Sequence, residues 1–247
     1  MSGRTPGPGP DWFDVEAFRR VGHRVVLLRQ VTLPALVLGS TQDEGVVDRR
    51  RAARAGIAVV RRRSGGGVVL VGPGDPLWVD LWIPRRDPLF DGDVGRSALW
   101  VGDAWLGALE GLGLGHAELR VHRGSALRGR WSDTVCFAGV APGEVLVTQH
   151  GARGPERSAP KVVGVAQWRG REGALFHSAL YRRWDPGPLV DLLAVPAARR
   201  EPMIDDLRAA AVGLEDLGMT AAAPAEVTGA LLASLPDDAP WSTERPT

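Results

Sequence analysis

The sequence predicts an α+β fold with a mixed, mostly antiparallel sheet flanked by helices, and three observations carry that expectation. Strand-type apolar runs crowd the middle of the chain without the strand–helix alternation of a parallel α/β fold. Over residues 94–112 apolar positions recur three and four apart, the spacing of a helix laid against a sheet. From Pro188 onward strand patterning gives way to helical patterning. A chain of 247 residues that is 44% hydrophobic can bury one sizeable core.

The elements follow in order. Residues 1–10, rich in Gly and Pro, read as a disordered tail, and 11–20 as a short helix. Arg24–Gln30 and Ala35–Gly39 read as strands parted by Pro34, and Asp43–Ala55 as a helix stopped by Gly56. Ile57–Val60 is a strand that runs directly into Arg61-Arg-Arg-Ser-Gly-Gly-Gly. Val68–Val71 and Leu77–Ile83 are expected to form a hairpin across Gly72–Asp75. After the 94–112 helix come short strands at 118–121, 134–137 and 144–147, a polar loop at 149–160, and strands at 161–168 and 174–181. Helices are expected near 188–194, 201–217 and 224–234. The division is thus a tail (1–10), a main domain (11–187) and a short helical extension (188–247), with no internal repeat.

Charge and composition narrow the function. A net charge of +1 with 24% charged residues points to neither nucleic acid nor an anionic membrane. No apolar run has signal-peptide character or approaches the roughly 20 residues of a spanning helix, so a soluble, cytoplasmic protein is expected. The single cysteine, Cys136, agrees with a reducing compartment. Of 30 basic residues one is lysine, Lys161. A composition that writes arginine wherever a guanidinium serves leaves lysine where a compact ammonium is needed, or on the surface by chance.

Two segments carry chemistry. In the first, Gly65, Gly66 and Gly67 remove every Cβ from a link between two strands, so backbone N–H groups can approach a ligand closely. With Arg61, Arg62 and Arg63 just before it, the loop suits a phosphate or carboxylate. It lacks the Gly-Lys-Ser/Thr ending of a nucleotide P-loop. A glycine-rich hairpin beside a solvated arginine run is the competing reading. In the second, Lys161 opens a strand of small or apolar residues, Val-Val-Gly-Val-Ala-Gln, leaving room for a ligand over Gly164 and Ala166. It can act as a fixed cation beside a transferring acyl-phosphate or as a Schiff-base nucleophile, and the anion-suited loop favours the first.

Val37-Leu-Gly-Ser-Thr-Gln, then Gly56-Ile-Ala-Val-Val-Arg-Arg-Arg-Ser-Gly-Gly-Gly-Val-Val, resembles the lipoate–protein ligase family, whose signature reads arginine-arginine-x-serine-Gly-Gly-Gly-Ala-Val. About 100 residues later Lys161-Val-Val-Gly-Val-Ala-Gln resembles that family's lysine-x-x-glycine-x-alanine strand, and Leu175–Leu180 stands at its leucine-x-histidine/glutamine-glycine stretch. The resemblance covers roughly residues 24–185 and implies a biotin/lipoate ligase-like catalytic domain over 11–187. It implies activation of lipoate or octanoate with ATP, accompanied by Mg2+, to an acyl-adenylate. The acyl group would then pass to a lysine of a lipoyl-carrier domain, of the glycine cleavage H protein or 2-oxoacid dehydrogenase E2 type. By position Arg62, Ser64, Gly65–Gly67 and Val68 would bind the adenylate. Lys161 would be catalytic, at the acyl carbonyl and phosphate, and Gly164 and Ala166 would line the acyl tunnel.

The chain departs from the family at three places. Val71 stands where the signature has histidine, a long loop precedes Lys161, and 188–247 is too short for the accessory domain of many full-length ligases. Octanoyltransferases of the same superfamily carry the acyl group on a cysteine, in one subgroup in a Cys-Phe context like Cys136-Phe137. Cys136 is therefore a second candidate catalytic residue, against its ordinary role as a small buried hydrophobe. A non-catalytic paralogue that binds lipoate or the carrier domain is the third reading. His122 and His177 lack metal-ligand spacing, the tryptophans read as core, and Asp80 either faces the site or, the favoured reading, is a paired structural carboxylate.

Overall fold

The computed structural model describes residues 15–114, 119–148, 159–220 and 222–246. The expected tail at 1–10, the start of the first helix and nearly all of the 149–160 loop lie outside them. The helices are α1 (Glu16–Arg19), α2 (Arg49–Arg54), α3 (Leu99–Gly111), α4 (Gly187–Asp191), α5 (Ala197–Ala210) and α6 (Pro224–Ser234). The strands are β1 (Arg24–Arg29), β2 (Ala35–Leu38), β3 (Ala58–Arg61), β4 (Val69–Val71), β5 (Leu77–Pro84), β6 (Leu119–Val121), β7 (Val145–Val147), β8 (Lys161–Arg169), β9 (Gly173–Leu180) and β10 (Trp241–Ser242).

They form two sheets, one of seven strands in the order β10-β1-β5-β9-β8-β7-β6 and one of three in the order β3-β2-β4. Among the strand ladders of the described residues, only β1/β10 and β2/β3 are parallel. The α+β class with a mostly antiparallel sheet is therefore what the chain adopts. Successive side chains on a strand point to opposite faces, so β5 sends Val79, Leu81 and Ile83 one way and Trp78, Asp80 and Trp82 the other. The first set packs with Val101, Trp105 and Leu109 of α3 and Val227 and Leu231 of α6. Trp78 on the other face joins the three-stranded sheet, α4, α5 and the aromatic group Phe137, Tyr181 and Trp184. The two sheets thus face one another across this second core.

Several elements differ from expectation for local reasons. Asp43–Ala55 is a 3-10 turn (Glu44–Val46) followed by α2, because Asp48 caps α2 by accepting from the N–H groups of Arg50 and Arg51. The 68–71 and 77–83 strands make no ladder. β4 pairs with β2, β5 joins the other sheet, and the proline-containing link holds only the Gly72–Asp75 bridge. Thr134–Phe137 is not a strand: Val135 bridges Val68 and the chain then coils into a 3-10 turn at Cys136–Ala138. The expected 201–217 helix is α5, which ends where Ala211 leaves helical geometry to bridge Lys161. The described residues beyond 187 pack on the main body, α6 against α3 and β10 against β1. No helix among the described residues is long and apolar enough to cross a membrane.

Candidate active site

The site forms where the glycine loop, the cysteine turn and the start of β8 converge. Gly39, Gly66 and Gly67 permit the convergence. A Cβ on Gly39 would lie 1.9 Å from the Gly66 carbonyl oxygen, and one on Gly67 would lie 2.5 Å from the Val135 carbonyl carbon and 2.6 Å from the Cys136 nitrogen. The Val68 N–H donates to the Thr134 carbonyl at 2.8 Å, and the Cys136 N–H to the Val68 carbonyl at 3.1 Å. Gln42 clamps the junction: its amide accepts from Gly39 N–H and donates to the Asp133 and Thr134 carbonyls.

Two of the three arginines, Arg61 and Arg62, bond to backbone around the loop. Arg62, 1% exposed, donates to Ser64 Oγ at 3.1 Å and to the carbonyls of Val37, Gly65 and Gly67 at 3.2, 2.7 and 2.9 Å. Burial pushes its guanidinium below its ordinary value, with the Cys136 sulfur opposing. Ser64 is as buried as Arg62 and Val68 is fully buried, so both hold the loop from within. Arg61 donates to the Gly39 and Gln42 carbonyls at 2.7 Å each. Four acceptors thus hold Arg62, three in the loop and the Val37 carbonyl on β2.

Gly65, Gly66 and Gly67 do reach a cleft of about 680 Å3, on whose wall Cys136, Glu144, Lys161, Val165, Ala166 and Gln167 also stand. A Cβ on Gly65 would meet nothing within 4 Å, so this stretch of loop is open. Gly66 has φ +96°, and Cys136 Sγ lies 3.6 Å from where its Cβ would be. Arg62 Nη2 is 4.0 Å from the same sulfur. Gly164 is not on this wall; its missing Cβ leaves room for the Phe137 ring, 3.2 Å away. With Phe137, Cys136, Ala166, Trp78 and His177 it surrounds a much smaller cavity behind the cysteine turn.

Lys161 is 1% exposed and its Nζ donates to Glu144 Oε1 at 2.9 Å and to the Cys136 carbonyl at 2.8 Å. Glu144 Oε2 is 2.8 Å from the same nitrogen, and the ammonium sits 5.2 Å from the centroid of Phe137. Glu144 also accepts from the N–H groups of Ala141 and Val165. Burial nevertheless pushes its carboxyl above the ordinary carboxylate range. Gly143, at φ +86° and wedged against the Ala98 carbonyl at the start of α3, makes the turn that delivers Glu144. Arg128 and Asp133, paired at 2.8 Å, also line the cleft.

Sequence reasoning missed Glu144, Gln42 and Arg128. The one available signal was an acidic residue opening an otherwise apolar strand at Glu144-Val-Leu-Val. Val71, at the family's histidine position, is fully buried beside β2 and leaves that position apolar. Asp80 is a paired buried carboxylate, bonded to Arg29, His177 and Trp78 at 2.6, 2.6 and 2.9 Å. Burial works against ionisation, but the Arg29 guanidinium and the hydrogen bond with His177 hold the carboxyl well below the usual carboxylate range.

This arrangement can hold an anion and a polarised carbonyl between fixed donors. Several solved structures share its fold. A bi-partite lipoate protein ligase from Thermoplasma acidophilum, analysed with its E2 lipoyl domain, superimposes with TM-score 0.70 at 20% identity, over 98% of this chain and 85% of that one. A T. acidophilum protein with bound lipoic acid gives TM-score 0.66 at 19% identity, over 99% and 89%. Lipoate-protein ligase A bound with ATP gives 0.61 at 19%, over 95% and 81%. No curated protein matches the chain by sequence. At these identities the likeness is one of fold, but the lipoyl protein ligase A/B catalytic domain matches residues 14–236. The chain belongs to the lipoyl protein ligase A/B catalytic-domain family.

Proposed function

We propose that the cleft activates lipoate or octanoate with ATP as an acyl-adenylate and transfers the acyl group to a lysine of a lipoyl-carrier domain. The observation that carries this reading is the fixed Lys161 ammonium in the wall of a cleft that the open glycine loop also lines. A mixed anhydride gains most from donors already in place where charge develops, on its carbonyl and phosphate oxygens. Lys161 and the amides of Gly65–Gly67 are such donors, and Ala166 lies beside them on the wall. The cleft volume falls in the usual range for small-molecule sites, roughly 300–1,000 Å3. Structures of similar fold hold lipoic acid in one case and ATP in another, and the bi-partite ligase was studied with an E2 lipoyl domain. That domain type is the acceptor favoured here; the glycine cleavage H protein is the other candidate.

No group of three or more His, Cys, Asp or Glu among the described residues could hold a metal ion. Magnesium would enter with the nucleotide, whose phosphates supply its ligands. The soluble, cytoplasmic setting is part of the proposal.

A second reading rests on Cys136. Its Sγ faces Gly66 inside the cleft with the Arg62 guanidinium 4.0 Å away, a cationic surrounding of the kind nucleophilic cysteines occupy. Attack of this sulfur on an octanoyl thioester would make a thioester on the enzyme before transfer. One experiment separates the readings. The protein and an apo carrier domain are incubated with lipoate and ATP, or with octanoyl-carrier protein, and the carrier's mass is followed. ATP-dependent acylation that survives Cys136→Ala supports the adenylate route. Acylation without ATP that is lost in this variant supports the thioester. No acylation with either donor leaves a binding paralogue.

A further inference from the structure

Aminolysis of an acyl group leaves a proton that something must take. The acceptor nitrogen arrives as an amine and ends as an amide, losing one N–H proton on the way. The cleft wall carries three carboxylates. Asp43 accepts from Gly45 N–H and Asp133 pairs with Arg128, each at an exposed position. Glu144 is different, being 2% exposed and bonded through both oxygens to Lys161.

A buried ion pair adds little net stability over apolar residues of similar volume, so the fold alone gives no reason for one on a cleft wall. Its geometry is also over-determined. Two backbone N–H groups, the Gly143 turn and the Cys136 carbonyl fix both partners. Around the pair stand Cys136 with Arg62 behind it, Asp43, Arg128 and Asp133 lining the same cleft, and Tyr181 against Phe137.

Building on the acyl-transfer reading above, we propose that Glu144 is the positioning residue of the transfer step, fixing Lys161 against the acyl group and taking up, through Lys161, the proton shed by the acceptor amine. The carrier lysine's nitrogen bonds to the acyl carbon, and the acyl–oxygen bond to the adenylate breaks, its electron pair leaving with the phosphate. On the thioester route the acyl–sulfur bond breaks and the pair leaves on sulfur. The surplus proton passes from nitrogen to Lys161 as Lys161 hands one of its own to Glu144. The pair goes from ammonium and carboxylate to ammonium and carboxylic acid.

The lone lysine makes this directly observable, since ζ-15N-lysine labelling gives one side-chain resonance. Glu144→Gln keeps an acceptor for Lys161 but cannot take the proton. Single-turnover transfer from supplied lipoyl-adenylate, or from octanoyl-carrier protein, should fall roughly 100-fold or more. Its pH–rate profile should lose its plateau, the Lys161 resonance should shift as its carboxylate partner is lost, and lipoyl-adenylate affinity should stay within a few-fold. Glu144→Asp should recover part of the rate and the plateau. In the wild type, the resonance should change over the same pH range as the transfer rate. A resonance that is flat there overturns the proposal even if Glu144→Gln does not fold. So does a Glu144→Gln enzyme with wild-type transfer, or one whose rate and stability fall together under an unchanged pH profile. In those cases the acyl-transfer reading stands. A wild type that acylates no carrier with either donor removes that reading and this inference with it.

Discussion

Three neighbouring glycines are predicted to answer the same substitution in different ways. In Gly67→Ala the new methyl would lie 2.5 to 2.8 Å from three backbone atoms of Val135 and Cys136. None is the far end of a flexible side chain, so the cysteine turn itself must move. That movement stretches the two hydrogen bonds joining Val68 to Thr134 and Cys136. Overpacking of this kind costs about 1–3 kcal/mol, and a loss of about 2 kcal/mol lowers Tm by roughly 4–8 °C at this chain length. It also displaces the Cys136 carbonyl that holds Lys161, so acyl transfer should fall further than stability alone explains.

In Gly65→Ala the methyl meets nothing within 4 Å and the backbone needs no left-handed conformation. Tm should stay within about 2 °C, since surface changes away from special features cost under about 0.5 kcal/mol. The methyl projects into the cleft, so KM for the acyl donor or ATP should rise. Gly66→Ala lies between, strained at φ +96° and 2.9 Å from Arg62 Nη2. Differential scanning calorimetry with steady-state kinetics on the three variants reads out both quantities. A stable Gly67→Ala, or a Gly65→Ala that unfolds early with normal kinetics, would refute the account of how the loop meets the cysteine turn.

Other perturbations have equally definite outcomes. Lys161→Ala leaves Glu144 buried without its cation, so urea unfolding should show a loss of about 3–5 kcal/mol near neutral pH, and acyl transfer should disappear. Undiminished turnover in that variant would remove the central residue of the proposed function. Arg62→Lys exchanges a fork with four acceptors for one ammonium, and carbonyls or hydroxyls left unmatched cost about 1–3 kcal/mol each. A Tm within 2 °C of wild type would contradict the interior role given to this guanidinium. For Asp80, whose carboxyl is depressed in the folded state, the sign is that of a stabilising anion. Its contribution is complete above the ordinary carboxylate range, near pH 4, and is lost as pH falls toward its lowered value. The stability gap between wild type and Asp80→Asn should be flat from pH 5 to 7 and narrow below pH 4; a gap that widens on acidification refutes the Arg29–Asp80–His177 assignment.

Continuous apolar runs made the sheet legible. β8 and β9 lie within a residue of their expected bounds, and α6 coincides with the periodic run at 224–234, which a proline opens. What local pattern could not show depends on contacts distant in sequence. Thr134–Phe137 reads as a strand by alternation, yet it bridges Val68 and coils, because Gly67 admits it closely and Ala138 is followed by extended Gly139. β10 is two residues long and exists because β1 offers an edge more than 200 positions earlier. The partners of Arg62 were hidden for a related reason: three cations in sequence suggest a ligand, while four carbonyl and hydroxyl acceptors converge on Arg62 only once β2 and the loop are assembled.

The glycine loop and Lys161 are joined through Cys136, and that junction explains why two acyl-transfer chemistries fit one site. The Cys136 backbone and side chain do separable work. Its N–H binds the Val68 carbonyl and its carbonyl binds Lys161 Nζ, so any residue that accepts the 3-10 turn could fix the cation. Its sulfur contributes to neither bond and faces Gly66 and Arg62 instead. Cys136→Ala therefore keeps the machinery an adenylate needs and removes only what a thioester needs. The Lys161 resonance and Tm should be close to wild type in that variant whichever route operates, and only the donor requirement should differ. If the substitution shifts the Lys161 resonance as strongly as Glu144→Gln does, the turn and the sulfur are not separable, and loss of activity in Cys136→Ala would no longer identify a nucleophile.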